Sequence, residues 1–388
     1  MSAKRILIFS YEFYPKIGGT SSYVEELLKG FKSIDTEVVL LSWAYRSRFL
    51  PYDHDRKIIE DSPIKIKRIF NIFHYYFGFW QFFFFNKKSL ESYDAILLAD
   101  TTAVKFAMYF FEADLRKKTT IIFHGGELQS FYHNVQGFKR KLRFKQKFIQ
   151  LLRDIKGIIT VSEYHRNQFV TEFPSLSTKI VKIYHGINSS DFTSSDKNKK
   201  LNLRKHLHLN ADDLVLISAS RLIFNKGQDS LIKFFSRLLK LKPSCTLLIA
   251  GDGPEKINLV KLVGSLNLSA KIKFTDGLSR IELIKYLNAS DIFVQLSSLP
   301  ETFGMVYIEA ALSSLPVIGI NIGGVSEAIE DEKSGFLINQ DDYDGFRNAV
   351  FKIIQDEENL IGQYSRERAI KIFNNERMAK ETFDYLIR

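Results

Sequence analysis

Apolar and polar positions along the chain fall into two alternating kinds of segment. Short runs that are apolar at nearly every position recur at Arg5–Ser10, Val38–Ser42, Ala95–Ala99, Thr119–Phe123, Gly157–Val161 and Lys179–Tyr184. They return at Leu214–Ala219, Thr246–Ala250, Ile272–Phe274, Asp291–Leu296 and Pro316–Ile320. A strand covered by helices on both faces has no solvent-facing positions, so such runs predict buried parallel strands. Between them, Ser21–Phe31, Leu231–Leu241, Glu255–Leu266 and Asp344–Gln355 carry apolar residues at helical spacing. This alternation predicts an α/β protein with two parallel, doubly wound sheets.

Ser189–Arg204 (SSDFTSSDKNKKLNLR) separates the two series and reads as a polar linker without apolar periodicity. The expected domains are therefore 1–190 and 205–365. A last helical stretch, Ile361–Arg388, carries Ile370, Phe373, Met378, Phe383 and Leu386, and its part from about residue 366 to 388 is expected to return to the first domain. At 388 residues, 45% hydrophobic and 26% charged, the chain has the composition of two or three globular domains, which excludes disorder, collagen and a small disulfide scaffold. Its one cysteine, Cys245, begins an apolar run and reads as a buried strand thiol. The apolar run after Lys4–Arg5 is too short for a secretory signal, so a reducing, cytoplasmic setting is expected.

Charge changes this picture. Met1–Ser190 holds 29 Lys and Arg against 18 Asp and Glu, and the rest holds 26 against 26, so the whole excess of +11 lies in the first half. That half is expected to meet an anion: a membrane surface, a nucleic acid or a phosphorylated substrate. Between Phe70 and Phe85, 11 of 16 residues are Phe, Tyr or Trp, flanked by Lys65, Lys67, Arg68, Lys87 and Lys88. The segment is shorter than the roughly 20 apolar residues of a spanning helix. It reads either as an aromatic core helix or as an interfacial element with its rings at headgroup depth. Phe138–Leu152 has 6 cations within Lys139–Lys147, and Phe138, Leu142, Ile149 and Leu152 share a helical face. That pattern fits a membrane-surface helix or an ordinary solvated one.

Candidate chemistry is densest in the second half. Ser218–Gly227 (SASRLIFNKG) closes a strand with Arg221, followed by Lys226 and Gly227. Two cations at the C-terminal end of a strand suit a diphosphate, one as a fork and one as a point charge. The next strand ends in Ala250–Glu255 (AGDGPE), where Gly251 and Gly253 permit a tight turn and close backbone approach to a ligand. Asp291–Leu296 leads to Glu301–Glu309 (ETFGMVYIE). Here Glu301 is expected in a loop, Gly304 before a helix from about Met305, and Glu309 one turn into it. The two carboxylates can accept hydroxyls from two parts of one ligand, such as a sugar and a ribose, and free amides at the helix start suit a phosphate or sugar oxygen. Gly323–Gly324 before Glu327 form a further candidate anion nest.

Arg221 with Lys226–Gly227, the Gly251-Asp252-Gly253-Pro254 turn, Glu301 and Glu309 around Phe303–Gly304, Pro316–Val317, Gly323–Gly324 and Glu327 occur in one order that resembles the donor-binding domain of the family 4 glycosyltransferases of GT-B fold. The resemblance implies two facing Rossmann-like domains with the active site in the cleft, the first for the acceptor and the second for a nucleotide-diphosphate sugar. It implies that Arg221 and Lys226 hold the diphosphate and that Glu309 accepts the ribose hydroxyls. Glu301 would contact the donor sugar, helped by the backbone N–H groups of Phe303, Gly304 and Met305. In the first half, Gly18–Gly19 resemble the family's glycine loop at the donor phosphate. His124, followed by Gly125–Gly126, stands where the family often has a histidine beside the reacting sugar. Ser162–Glu163 and His185–Asn188 match the pattern too, whereas Ser220 replaces a frequent glycine.

The implied activity is a retaining glycosyl transfer by front-face displacement, without metal or other cofactor, to a glycan or lipid-linked acceptor in envelope polysaccharide biosynthesis, lipopolysaccharide included. A soluble transferase with a small-molecule or protein acceptor and a non-catalytic nucleotide-sugar sensor are the alternatives. A dinucleotide fingerprint is absent from the sequence, no nucleic-acid motif accompanies the basic half, and Asp341–Asp344 reads as a helix cap rather than a metal site. The expected partners are a nucleotide sugar, the acceptor and an anionic membrane surface, with the protein peripheral on the inner face of the cytoplasmic membrane.

Overall fold

A computed structural model describes residues 3–15, 18–44, 55, 58–60, 62–69, 75–137, 142–194 and 196–388. The chain forms two compact units, Met1–Asn188 with Asn374–Arg388, and Ser189–Phe373.

The first unit is built on a parallel sheet of β1 (Lys4–Phe9), β2 (Thr36–Trp43), β3 (Ile64–Ile69), β4 (Ala95–Leu98), β5 (Thr119–Phe123), β6 (Gly157–Thr160) and β7 (Ile180–Lys182), in the order β3-β2-β1-β4-β5-β6-β7. Its helices are α1 (Gly19–Phe31), α2 (Tyr75–Phe85), α3 (Lys87–Glu91), α4 (Thr101–Phe110), α5 (Ala113–Lys117), α6 (Phe144–Asp154) and α7 (Glu163–Glu172). The chain steps one way from β1 to β3 and the other way from there on. Right-handed crossovers therefore set α1 on one face and α2, α4, α6 and α7 on the other. On the second face, Phe9, Leu98, Phe123 and Ile158 pack with Phe79, Phe83, Phe106 and Phe148.

The second unit repeats the plan with β8 (Leu214–Ala219), β9 (Cys245–Ala250), β10 (Ile272–Thr275), β11 (Ile292–Gln295), β12 (Val317–Ile320) and β13 (Gly335–Ile338), in the parallel order β10-β9-β8-β11-β12-β13. Around this sheet run α8 (Lys197–His206), α9 (Gln228–Leu238), α10 (Lys256–Ser265), α11 (Arg280–Ala289), α12 (Met305–Leu312), α13 (Val325–Ala328), α14 (Tyr343–Gln355) and α15 (Leu360–Ile372). Cys245 is buried in β9. Asp342 caps α14 by accepting from the Gly345 amide at 2.8 Å, as the acidic run implies. The last helix, α16 (Asn375–Ile387), belongs to the first unit and packs on α1.

Four sequence expectations change. The strands β3 and β13 lie at sheet edges, where IKIKRI alternates and GFLI is short, so neither makes a long apolar run. The segment Ser189–Arg204 is not a featureless linker, because α8 begins at Lys197 behind an Asp196 cap that accepts from the Lys199 amide at 2.8 Å. The C-terminal stretch is two helices broken at Phe373–Asn374. On α6 the buried residues are Phe144, Phe148, Leu151 and Leu152, while Leu142 is exposed ahead of the helix. Phe138 and Lys139–Lys141 lie outside the described residues.

The packing of α1 on α16 is tight at Gly30, where an added Cβ would sit 2.3 Å from the Asn375 carbonyl oxygen and 2.8 Å from the Ala379 Cβ. Gly264, in α10, has nothing within 4 Å of the same position. Gly30→Ala is expected to cost about 1–3 kcal/mol through overpacking. Gly264→Ala should gain about 0.5–1 kcal/mol through lower unfolded-state entropy. Urea unfolding of both variants beside the parent measures the difference, and equal effects would contradict this account of the helix contact.

Candidate functional site

Doubly wound sheets bind ligands at the carboxyl ends of their strands, where the strand order reverses. In the second unit that point lies between β8 and β11. The loops leaving these two strands carry Arg221–Lys226 and Ser297–Gly304.

The loops are tied to each other. Lys226 Nζ donates to Glu301 Oε1 at 2.9 Å, and Ser297 Oγ donates to the same oxygen at 2.6 Å. Ser298 N donates to the Asn225 carbonyl at 3.0 Å. Beneath them lies Gln295, fully buried at the end of β11. Its Nε2 donates to the Lys226 carbonyl and, at 3.3 Å, to Ser297 Oγ, and its Oε1 accepts from Ser218 Oγ at 3.1 Å. Gly227, at φ +76°, is required for this closeness, since a Cβ there would fall 1.8 Å from the Leu296 carbonyl oxygen.

The Arg221 loop is held from its other side. A Cβ on Gly251 or Gly253 would lie 1.9 Å from the Ser220 carbonyl oxygen or 2.3 Å from that of Leu222, and both glycines have positive φ. What this turn admits is the neighbouring backbone. Leu222 N donates to Asp252 O at 2.9 Å, and Glu255 N donates to Leu222 O at 3.0 Å. Arg221 is thereby fixed at its Cα while its side chain is exposed, and its guanidinium has no hydrogen-bonded partner among the described residues.

The Glu301 loop ends at Gly304, which precedes α12 at φ +83°. Phe303 is buried, Met305 is the first helical residue, and Glu309 lies half-buried one turn on. Tyr307 OH anchors the helix by donating to the Gln295 carbonyl at 3.0 Å. The nest expected at Gly323–Gly324 is used internally, because Gly324 N donates to the Glu301 carbonyl at 2.7 Å.

In the first unit the order reverses between β1 and β4. Asp100, buried at the end of β4, caps α4 by accepting from Ala103 N at 2.8 Å. It also accepts from Ser10 Oγ at 2.9 Å and Glu12 N at 2.8 Å, which draws in the loop after β1. Burial raises its pKa against those hydrogen bonds. His124 follows β5, half-buried, with Nε2 3.0 Å from the Ala99 carbonyl and its ring edge-on to Tyr23 at 4.7 Å. Burial pushes its pKa down to about 4, outweighing the Ala99 carbonyl and Glu12. The imidazole is therefore neutral at pH 7, with its proton on Nε2, where the carbonyl accepts it. Glu127 accepts from the His124 and Gly125 amides at 2.8 and 2.7 Å and fixes the turn. Gly18 precedes α1 and Gly19 begins it, each with open space where a Cβ would be among the described residues. His185 packs against Tyr23 with ring centroids 4.8 Å apart and tilted by 55°, and the following Asn188 N donates to Glu26 Oε2 at 2.7 Å, which fastens this segment to α1.

The residues that sequence patterns missed are those that join strands: Gln295, Asp100 and Glu127. Asp100 and Glu127 leave a trace as polar residues just behind buried strands, whereas Gln295 leaves none. Among the described residues no group of three or more His, Cys, Asp or Glu is placed to hold a metal ion.

Gln295→Leu is expected to leave Ser218 and the Lys226 carbonyl without a partner, costing about 1–3 kcal/mol of stability. It should also loosen Lys226 and Glu301, weakening nucleoside diphosphate binding. Urea unfolding and calorimetry measure both, and unchanged affinity beside lost stability would make the amide merely structural.

Residues 17–191 match the family model of Glycosyltransferase Family 4, and residues 199–371 match that of Glycosyl transferases group 1. A GDP-mannose-dependent alpha-(1-6)-phosphatidylinositol monomannoside mannosyltransferase of Mycolicibacterium smegmatis is 28% identical over 209 residues, 52% of this chain and 54% of its own. The lipopolysaccharide core biosynthesis glycosyltransferase LpsE of Rhizobium meliloti is 31% identical over 175 residues, 42% of this chain and 49% of its own. The chain thus spans about half the length of the curated relatives it matches. Among solved structures, Anabaena HepE in complex with UDP and glucose shares the fold with a TM-score of 0.76 at 19% identity, over 98% of each chain. With one model on each unit and the fold common to both, the chain belongs to the family 4 glycosyltransferases of GT-B fold.

Proposed function

We propose that the protein transfers a sugar from a nucleotide-diphosphate sugar to a glycan or lipid-linked acceptor, with retention of anomeric configuration, in envelope polysaccharide biosynthesis. The observation that carries this reading is the meeting of Lys226 and Glu301 at the switch point of the second sheet, on loops that also carry the exposed Arg221 and lead into the start of α12. The names of the relatives support it: a GDP-mannose-dependent mannosyltransferase and a lipopolysaccharide core glycosyltransferase.

In this reading Arg221 and Lys226 take the diphosphate. As the bond from the anomeric carbon to the leaving phosphate breaks, negative charge grows on the phosphate oxygens, and fixed cations stabilise that charge most. Glu301 accepts hydroxyls of the donor sugar, assisted by the amides of Phe303, Gly304 and Met305, and Glu309 accepts those of the ribose. Lys226 must then exchange part of its bond to Glu301 for phosphate, which couples filling of the phosphate site to release of the sugar-binding carboxylate. On the first unit, Gly18 and Gly19 offer backbone to a phosphate, and neutral His124 is the polar group offered to the reacting sugar. Arg221, Lys226 and the helix amides supply the positive field, so metal independence is part of the proposal. Among the described residues no helix is long and apolar enough to cross a membrane. The basic first half supports peripheral docking on the anionic inner face of the cytoplasmic membrane.

Glu301→Ala is expected to abolish transfer while sparing affinity for the free nucleoside diphosphate, whereas Arg221→Ala should weaken that affinity about tenfold or more. Calorimetry with uridine, guanosine and adenosine diphosphates reads this split, and equal losses in both variants would refute the division of roles. Transfer should also persist in EDTA. An activity lost there and restored by magnesium or manganese would overturn the metal-independent reading.

A further inference from the structure

The aromatic segment upstream of β4 is neither wholly core nor wholly surface, because α2 divides it. Phe79 and Phe83 are buried, packing on Phe9 at 4.6 and 5.4 Å and on Phe106 at 6.2 and 5.0 Å. Phe77, Trp80 and Phe84 occupy the other face at 43%, 36% and 63% exposure. They form one continuous stack, Phe77 on Trp80 at 5.7 Å and 19° and Trp80 on Phe84 at 5.2 Å and 23°. Their spacing of three and four residues makes a single stripe along the helix. Phe110 of α4, a further exposed ring on this side of the sheet at 43%, stacks at 4.5 Å on the buried Phe106.

We infer that this stripe is a wedge that enters the headgroup region of an anionic bilayer. The inference rests on the membrane-docking part of the proposed function and names the element that inserts. Three observations choose the occupant. The exposed rings include Trp, whose flat amphipathic ring suits the boundary between headgroups and acyl chains. Helices on the same side are cationic, since α4, α5 and α6 hold 6 Lys and Arg against 2 Asp and Glu. Exposed Lys88 follows the stripe, and exposed Arg143 and Leu142 precede α6. A second copy of this chain would bring a face of the same sign against it, so charge favours an anionic surface over self-association. Lys145 and Lys147 lie over the rings of Tyr132 and Tyr109 at 3.7 and 4.6 Å. Their charges are thereby fixed on this layer instead of extending freely into solvent.

The protein has two tryptophans, so Trp43→Phe leaves Trp80 as the only indole. That variant is mixed with phosphatidylcholine vesicles with and without phosphatidylglycerol, some carrying brominated acyl chains. Flotation is compared for the parent and a Phe77→Ser, Trp80→Ser, Phe84→Ser variant, and sedimentation gives the oligomeric state. The expected result is a blue shift and bromine quenching of Trp80 with phosphatidylglycerol only. A loss of vesicle affinity of about tenfold or more is expected in the triple variant, with uridine and guanosine diphosphate binding unchanged. Flotation without quenching, and equal in both proteins, would overturn the wedge and leave docking by charge alone. No flotation at any composition would overturn both the wedge and the membrane-docking reading, while the nucleotide titrations test glycosyl transfer separately. A concentration-dependent dimer of the parent, lost in the triple variant and unaccompanied by quenching, would assign the stripe to self-association instead.

Discussion

A single carboxylate oxygen, Glu301 Oε1, receives the Lys226 ammonium and the Ser297 hydroxyl, and much of the second unit's carboxyl edge is arranged to allow it. Both members of the ion pair are mostly shielded from water. A pair so placed gives up hydration that mutual attraction alone barely restores, so its worth lies in geometry more than stability. Gln295 supplies that geometry. Its amide reaches the Lys226 backbone, Ser297 and Ser218 at once, so the two loops move as one piece with the ends of β8 and β11. The glycines of the site follow from the same demand, since Gly227 lets one loop lie on the other and Gly251 and Gly253 clamp the Arg221 side.

The first unit meets a comparable constraint with the opposite electrostatics. Its carboxyl edge gathers the buried Asp100, Glu127 and His165 and the half-buried His124, and each is spent on backbone or a neighbour. His165 is pushed down to about 3 by burial, with His124 adding to the effect, and its Nε2 lies 3.7 Å from Glu127. A cluster of this kind carries little fixed charge on its imidazoles at neutral pH, so it is suited to holding loops in place and offering neutral hydrogen bonds. The cations of the proposed phosphate site lie instead in the second unit, as one exposed arginine and one lysine paired with Glu301.

How much of this was legible in the sequence follows from the range of each interaction. Strands buried on both faces announce themselves, and apolar runs mark 11 of the 13 strands, the half-buried edge strands β7 and β10 among them. The two missed, β3 and β13, are sheet edges whose alternation or brevity weakens the signal. Arg221, Lys226, Glu301 and Glu309 were visible because a strand end, a turn and a helix start follow one another locally. The bond between Lys226 and Glu301 joins residues 75 positions apart and leaves no local pattern. The helix α8 was hidden because its only buried residue is Arg204, whose guanidinium donates to the Ala211, Asp213 and Ala289 carbonyls. A charged anchor gives no apolar period.

The aromatic helix α2 shows a different limit. Nearly every position is aromatic, so no periodic contrast marks which side faces the sheet, and the core reading holds for Phe79 and Phe83 but not for Phe77, Trp80 and Phe84. What breaks the symmetry is the β1 face. Phe9 offers a surface that two rings on one side of the helix can fill, and Phe79 and Phe83 fill it. Once they do, the spacing of a helix sends Phe77, Trp80 and Phe84 outward. A purely structural helix would carry polar residues there, since exposed rings add nothing to folding and raise the risk of aggregation. The three outward rings stack on one another along one side of the helix, and that geometry, with Lys145 and Lys147 held over the rings of Tyr132 and Tyr109, is what the inferred wedge rests on.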